Sequence, residues 1–269
     1  MPGKIGLIAG NGAFPILFAK EARNRGDRVI AVALKEEADP ALEKSVDQMT
    51  WLSLGQLGKT IDYLKENGVD RAVMAGQVKH TQLFKDIIPD WRAAKLLGRL
   101  INKKAESVLL AVTEEFAKDG IRFLSSATYL ESWLCPAGIL TTRKLSSVEQ
   151  ADIDFGVPLA QTMAGQDIGL TVVVKDGTVV AVEAMEGTDA CIKRAGKIAG
   201  PGCVAIKVAR PNQDLRFDLP VVGQRTLDAL KEAGISVLAM QSAKTLLLDK
   251  DNLIRSANDT HITLTGLSL

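Results

Sequence analysis

The sequence predicts an α/β protein, an N-terminal Rossmann-like open parallel sheet followed by a C-terminal α/β domain with a mixed sheet. Three observations predict it. Short β-rich runs alternate with helical periods through the first half, and successive parallel strands need helical crossovers. Aromatic residues make up 4% of the chain against 46% hydrophobic residues overall, so the core is mostly aliphatic, which suits strands covered by helices. The second half opens with two β-branched runs around Asp176-Gly177, a hairpin signal that brings antiparallel pairing into the second sheet.

In chain order, Lys4 to Ala9 reads as strand, Phe14 to Arg25 as helix and Arg28 to Leu34 as strand. Asp47 to Leu54 reads as strand, Gly58 to Glu66 as helix and Arg71 to Ala75 as strand. Gly26 and Gly68 stand where left-handed helix caps precede the next strand. Helices are expected over Trp91 to Arg99 and Lys104 to Lys118, with a strand near Ile121 to Leu124. The texture changes around Glu131 to Gly138, which sets the domains at residues 1–132 and 133–269. An amphipathic helix then covers much of Leu145 to Gly165, with Pro158 a candidate break. After the hairpin come a helix from Thr188 to Ile198, a strand from Cys203 to Ala209, a proline-bracketed loop, a helix from Gln224 to Glu232 and a strand from Ile235 to Met240. The last stretch reads as strand, helix, strand.

The chain has 269 residues, about two domains at roughly 150 residues each. Lys and Arg number 33 and Asp and Glu 32, a net charge of +1, which argues against a nucleic-acid partner held by a general basic field. The apolar runs fall short of the roughly 20 residues that span a bilayer, and the N-terminal stretch is too short for a signal sequence. Three cysteines without C-x-x-C spacing fit a reducing compartment. A cytoplasmic location is expected.

Several segments could carry chemistry. Gly10-Asn11-Gly12 follows the first strand and opens the first helix, offering backbone N–H groups and a positive helix end to a phosphate; its bland alternative is a tight turn. A dinucleotide fingerprint wants a glycine where Pro15 stands and an acid near Lys35, so NAD is disfavoured. Gly76-Gln77 ends a strand parallel to the first, so both turns can line one crevice at the same sheet edge. Ser53 to Thr60 imitates a phosphate-binding P-loop but lacks its first glycine. Glu183, Glu186, Gly187, Thr188 and Asp189 lie where the hairpin runs into a helix. Thr188 suits the N-cap and Asp189 the positive helix end, while Gly187 permits close approach of a phosphate or sugar. In Asp214-Leu215-Arg216-Phe217-Asp218, two carboxylates and a guanidinium share one face if the chain is extended. Extended, Asp214 and Asp218 lie roughly 13 Å apart, so one Mg²⁺ with bonds of about 2 Å requires a bend. The readings left open are a salt-bridge network or metal coordination and water activation with Arg216 on a phosphate.

Taken together, IAGNGAFP at the start, AGQVK at 75–79, VVVKDGTVVAVEAMEGTDACIKRAG at 172–196 and KVARPNQDLRFDLPVVGQRTL at 207–227 resemble the UDP-2,3-diacylglucosamine pyrophosphatases of the LpxI type, over essentially the whole chain. One departure is visible: Leu170 follows Gly169 where the family pattern carries a glutamine. The resemblance implies an N-terminal nucleotide-binding domain and a C-terminal catalytic domain with substrate between them. It implies a Mg²⁺-dependent hydrolase that cleaves UDP-2,3-diacylglucosamine to UMP and 2,3-diacylglucosamine 1-phosphate (lipid X) in lipid A biosynthesis. An essential aspartate maps to Asp214 or Asp218, with Asp218 favoured. On this reading Asp214 and Asp218 hold Mg²⁺ or orient water, Arg216 and Lys207 neutralise phosphate oxygens, and Gly10 to Gly12 hold the uridine diphosphate end. An apolar groove beside Asp218 is expected for the acyl chains. A non-catalytic nucleotide- or lipid-binding module is the competing class. Peripheral contact with the cytoplasmic face of the inner membrane and a homodimer are both left open.

Overall fold

The computed structural model describes residues 3–35, 37–78, 88–100, 105–211, 213–217 and 219–269. By internal contacts the chain divides into two units, Met1–Leu130 with Asp214–Asp218, and Glu131–Gln213 with Leu219–Leu269.

The first unit runs β1 (Lys4–Ala9), α1 (Phe14–Asn24), β2 (Arg28–Leu34), β3 (Gln48–Leu52), α2 (Leu57–Glu66), β4 (Arg71–Ala75), α3 (Trp91–Arg99), α4 (Ala105–Ala117) and β5 (Arg122–Phe123). Its sheet has the order β3-β2-β1-β4-β5, every pair parallel. The chain builds outward from β1 to β3 and then returns to the other side of β1 with β4. Strand order therefore reverses between β1 and β4, the place where open α/β sheets leave a crevice beyond the carboxyl ends. The strands are nearly continuous aliphatic runs: Val29 to Leu34 in β2 are all buried, as are Ile5, Leu7 and Ala9 in β1. A short 3₁₀ turn, Pro40–Ser45, is capped by Asp39 accepting the Ala41 N–H at 2.8 Å.

The second unit runs β6 (Gly138–Ile139), α5 (Ser147–Gly165), β7 (Thr171–Lys175), β8 (Thr178–Val182), α6 (Thr188–Ala199), β9 (Val204–Lys207), β10 (Val221–Val222), α7 (Gln224–Ala233), β11 (Val237–Gln241), β12 (Leu246–Leu247), α8 (Lys250–Asp259) and β13 (Thr263–Leu267). Its main sheet is mixed, in the order β6-β13-β11-β9-β7-β8. β9, β11 and β13 are parallel, while β7 runs antiparallel to β8 and β9, and β6 to β13. β10 and β12 form a separate parallel pair. The α/β class and the mixed second sheet follow the pattern of the sequence.

The hairpin turns where two positive φ angles are needed, at Asp176 (50°) and Gly177 (69°), as a two-residue primed turn requires. The Asp152 carboxylate on α5 accepts both turn amides, at 3.0 and 2.7 Å. Pro158, a candidate break, does not interrupt the helix: α5 is one helix with Pro158 inside it. Ile153, Ala160 and Ala164, on either side of the proline, are buried against the sheet, and this packing holds the helix together across the missing N–H. Gly156 permits the close approach, since a Cβ there would lie 2.6 Å from Ile206 Cδ1.

Candidate functional site

In the first unit the turn after β1 and the turn after β4 meet. The Gly10 N–H donates to Ala75 O at 2.8 Å, and Asn11 and Gln77 exchange backbone hydrogen bonds at 2.8 and 3.0 Å. A Cβ on Gly10 would stand 2.7 Å from Gln77 O, and one on Gly76 2.7 Å from Asn11 O with Gly76 at φ 92°. Both positions require glycine because backbone touches backbone. One consequence bears on phosphate binding. The Gly10 and Asn11 amides are taken by Ala75 and Gln77, which leaves the N–H groups of Gly12, Ala13 and Phe14 without a hydrogen bond among the described residues. Helix α1 has no side-chain cap, and Gly12 faces open space.

Asp214 to Phe217 pack onto this same unit. Ser126 N–H donates to Leu215 O at 2.7 Å, and its hydroxyl lies 2.7 Å from Met74 O and 2.9 Å from Arg216 O, sharing one proton between them. A sequence boundary at residues 132/133 places this segment in the C-terminal domain; these bonds explain why it groups with the first unit. Arg216 binds the Asp214 carboxylate in a fork, Nε at 2.9 and 3.0 Å and Nη2 at 2.5 Å, and its own N–H donates to Asp214 Oδ1 at 3.0 Å. The guanidinium holds the Asp214 carboxyl below the usual carboxylate range. It also stacks over the Phe217 ring, 5.8 Å from the centroid. Asp218, and with it the groove expected beside it, lies outside the described residues.

The P-loop imitation is filled from within the unit. The Gly58 N–H donates to Asp90 Oδ2 at 2.7 Å, while Asp90 Oδ1 caps α3 through the Ala93 N–H at 2.9 Å. A carboxylate occupies the place a phosphate would take.

In the second unit the ends of β8 and β9 and the start of α6 and β7 share one sheet edge, since Thr171 stands opposite Lys207. Lys207 is 5% exposed and Glu183 9% exposed. Lys207 Nζ donates to Thr188 Oγ1 at 2.7 Å, and the Thr188 hydroxyl lies 3.1 Å from both Glu183 oxygens. The result is a buried relay from ammonium through hydroxyl to carboxylate. A Cβ on Gly169 would fall 2.0 Å from Glu183 O, so this neighbour also fixes the end of β8. Leu170 packs with the apolar side of the sheet and gives its carbonyl to the Val208 N–H at 2.9 Å, a role that needs no polar side chain.

The other acids of this stretch are committed elsewhere. Gly187, at φ 83°, is the N-cap of α6 in place of Thr188, which stands as the first helical residue. Its hydroxyl is drawn to Glu183 rather than to the helix amides. Asp189 accepts from Thr226 Oγ1 at 3.0 Å and pairs with Arg225 at 3.7 Å. Glu186 pairs with Arg194 at 2.5 Å, which lowers its pKa. Ser126, and Thr171 with its hydroxyl 3.5 Å from that of Thr188, are not singled out by sequence, where an isolated hydroxyl residue gives no signal.

The LpxI N-terminal domain model matches residues 4–133, and the LpxI C-terminal domain model matches residues 136–265. The chain belongs to the LpxI family. A curated member of that family, UDP-2,3-diacylglucosamine pyrophosphatase LpxI of Caulobacter vibrioides, is 30% identical over 98% of this chain and 97% of its own length. Among solved structures, the biotin carboxylase domain of a thermophilic 2-oxoglutarate carboxylase aligns with a TM-score of 0.29 and 13% identity, over 64% of this chain and 35% of that one. That likeness is too slight to carry an argument. The LpxI assignment rests on the two domain matches, which meet near the junction of the two units.

For a divalent metal the donor chemistry on the 214–217 segment is suitable in kind. Mg²⁺ takes one or two protein carboxylates and completes its shell with waters and substrate phosphates. Among the described residues no three His, Cys, Asp or Glu side chains gather as a metal cluster, and both Asp214 oxygens are engaged by Arg216. A metal at Asp214 therefore competes with the guanidinium.

Proposed function

We propose that this LpxI-family chain hydrolyses the diphosphate of UDP-2,3-diacylglucosamine to UMP and 2,3-diacylglucosamine 1-phosphate, a step of lipid A biosynthesis. The observation that carries the reading is the end-to-end match of both LpxI domains, together with a relative named for that activity aligned over nearly its full length. The chemistry asks for cations and hydrogen-bond donors, because a diphosphate repels a nucleophile.

The roles proposed here are residue by residue. The open amides of Gly12, Ala13 and Phe14 bind phosphate oxygens of the nucleotide, in the turn braced by Gly10, Asn11, Gly76 and Gln77. Arg216, held flat by Asp214, offers the guanidinium edge not used by that carboxylate to a phosphate. Lys207 supplies a second fixed cation whose direction is set by Thr188 and Glu183, and Gly187 keeps the start of α6 free of a side chain. Glu186 and Asp189, through Arg194 and Arg225, position that helix rather than touch substrate. Asp218 orients the attacking water. Mg²⁺ would neutralise charge on the diphosphate when bound, held by Asp218 and by an Asp214 oxygen that gives up its bond to Arg216.

A UMP-release assay on the diacylated UDP-sugar, with and without Mg²⁺, tests the reading. Release that requires Mg²⁺ is expected. Release that survives EDTA would remove the metal, and no release at all would leave only a binding module. Asp218→Ala should keep the melting temperature and lose nearly all turnover; full activity would take Asp218 out of the mechanism. In ¹⁸O-water the label is expected in the lipid phosphate, and label in UMP would reverse the point of attack.

A further inference from the structure

Helix α3 turns an unpartnered face outward from the first unit. Ala93 and Leu96 are buried in its core and Leu100 packs against it, spaced as one helical stripe. On the other side Trp91 is 81% exposed and Ile88, just before the helix, 88% exposed. Lys95 and Arg99 are exposed with Trp91. Arg92 is turned aside to Glu115 and Asp119, but Lys95 and Arg99 have no ion-pair partner among the described residues. The charge pattern is lopsided. From Trp91 to Lys104 the sequence carries Arg92, Lys95, Arg99, Lys103 and Lys104 and no acid, in a chain whose net charge is +1.

Trp91, Lys95 and Arg99 follow one another at four-residue spacing on one helical face, with Ile88 exposed just before it, and an aromatic ring beside cations is the composition that settles among the headgroups of an anionic bilayer. The alternatives fit less well. Protein interfaces are depleted in lysine, and a second copy meeting this face about a two-fold axis would oppose like charges.

We propose that α3, led by Ile88 and Trp91, is the face with which this protein docks on an anionic lipid surface. The choice of occupant rests on the reading that the substrate carries acyl chains. Docking then brings the first unit to the bilayer where such a substrate resides, with Trp91 at headgroup depth and Lys95 and Arg99 on lipid phosphates.

The test is flotation of the full chain with vesicles of phosphatidylcholine alone and of phosphatidylcholine mixed with phosphatidylglycerol, at low and high salt. Binding only to the mixed vesicles, weakened by salt, is expected. Reversing both free cations, Lys95→Glu with Arg99→Glu, should weaken it by at least about 30-fold, and Trp91→Ala by about tenfold. UMP release from detergent-dispersed substrate should stay at the wild-type level in all variants. Equal binding to both vesicle types, no binding, or binding undiminished in the variants would overturn the proposal. So would a concentration-dependent dimer of the wild type that Trp91→Ala abolishes. Vesicle binding by a chain that releases no UMP would uphold the docking face while removing the proposed reaction.

Discussion

In the first unit the ends of β1 and β4 meet through Gly10, Asn11, Gly76 and Gln77 by backbone alone, whereas in the second the ends of β8 and β9 meet through the side chains of Glu183, Thr188 and Lys207. The two edges can therefore do different things. An edge of fixed amides offers oriented dipoles whose strength does not change with pH, suited to holding an anion. An edge of buried ammonium, hydroxyl and carboxylate offers net charge held in a low-dielectric setting, where removing one member leaves the others stranded. Substitutions that separate backbone from side chain can break or sharpen this contrast.

The largest effect is expected at Lys207→Met, which strands the Glu183 carboxylate in a buried site. Urea denaturation should show a loss of about 3 kcal/mol, and a loss near zero would mean that the relay is not what holds this edge. Next comes Gly76→Ala, with a Cβ 2.7 Å from Asn11 O at φ 92°; about 2 kcal/mol is expected. Gly187→Ala is its comparison: nothing lies within 4 Å, but φ 83° with ψ 166° is a backbone region essentially reserved for glycine, so strain without a clash should cost about 1 to 2 kcal/mol. If the two cost the same, close backbone approach is not the reason for Gly76.

Asp214→Asn comes third. Arg216 lowers the Asp214 pKa in the folded chain, so the pair stabilises at pH above the unfolded value of about 3.9 and loses that contribution as pH falls through the folded pKa. The pair is partly exposed, and its contribution should be below about 1 kcal/mol. The wild type and variant should differ at neutral pH and converge in acid; a difference that grows in acid would contradict the pairing. The smallest effects belong to Asn11→Ala and Gln77→Ala, within about 0.5 kcal/mol, because their bridge uses only main-chain atoms.

These contrasts also show what the sequence made legible. Aliphatic runs bounded by glycines located β1, β2 and β4, and the paired turns after β1 and β4 were readable because glycine itself marks close backbone approach. The Asp176-Gly177 hairpin was readable for a similar reason, its positive φ angles being written in residue type. Partner choice was not. Asp214 and Arg216, two residues apart, could be read as a pair, but Glu186 and Asp189 look equivalent as carboxylates in a polar loop, and each is claimed by a basic or hydroxyl residue whose position only the fold decides. The Ser53 to Thr60 stretch looked like a phosphate cradle because Asp90, more than thirty residues away in sequence, is invisible to a local pattern. Two-residue strands such as β6, β10 and β12 carry no periodicity to read.

The return of Asp214 to Phe217 to the first unit has a consequence for synthesis. The first 130 residues leave the ribosome with Ser126 still lacking its acceptors at Leu215 and Arg216. Those acceptors are made roughly eighty residues later, about 4 to 16 s at ordinary elongation rates. During that interval the nascent first unit carries an unfilled slot, and it closes only once much of the second unit has been translated. The segment bearing Asp214 and Arg216 is thus the last piece to join a unit whose strands were made first.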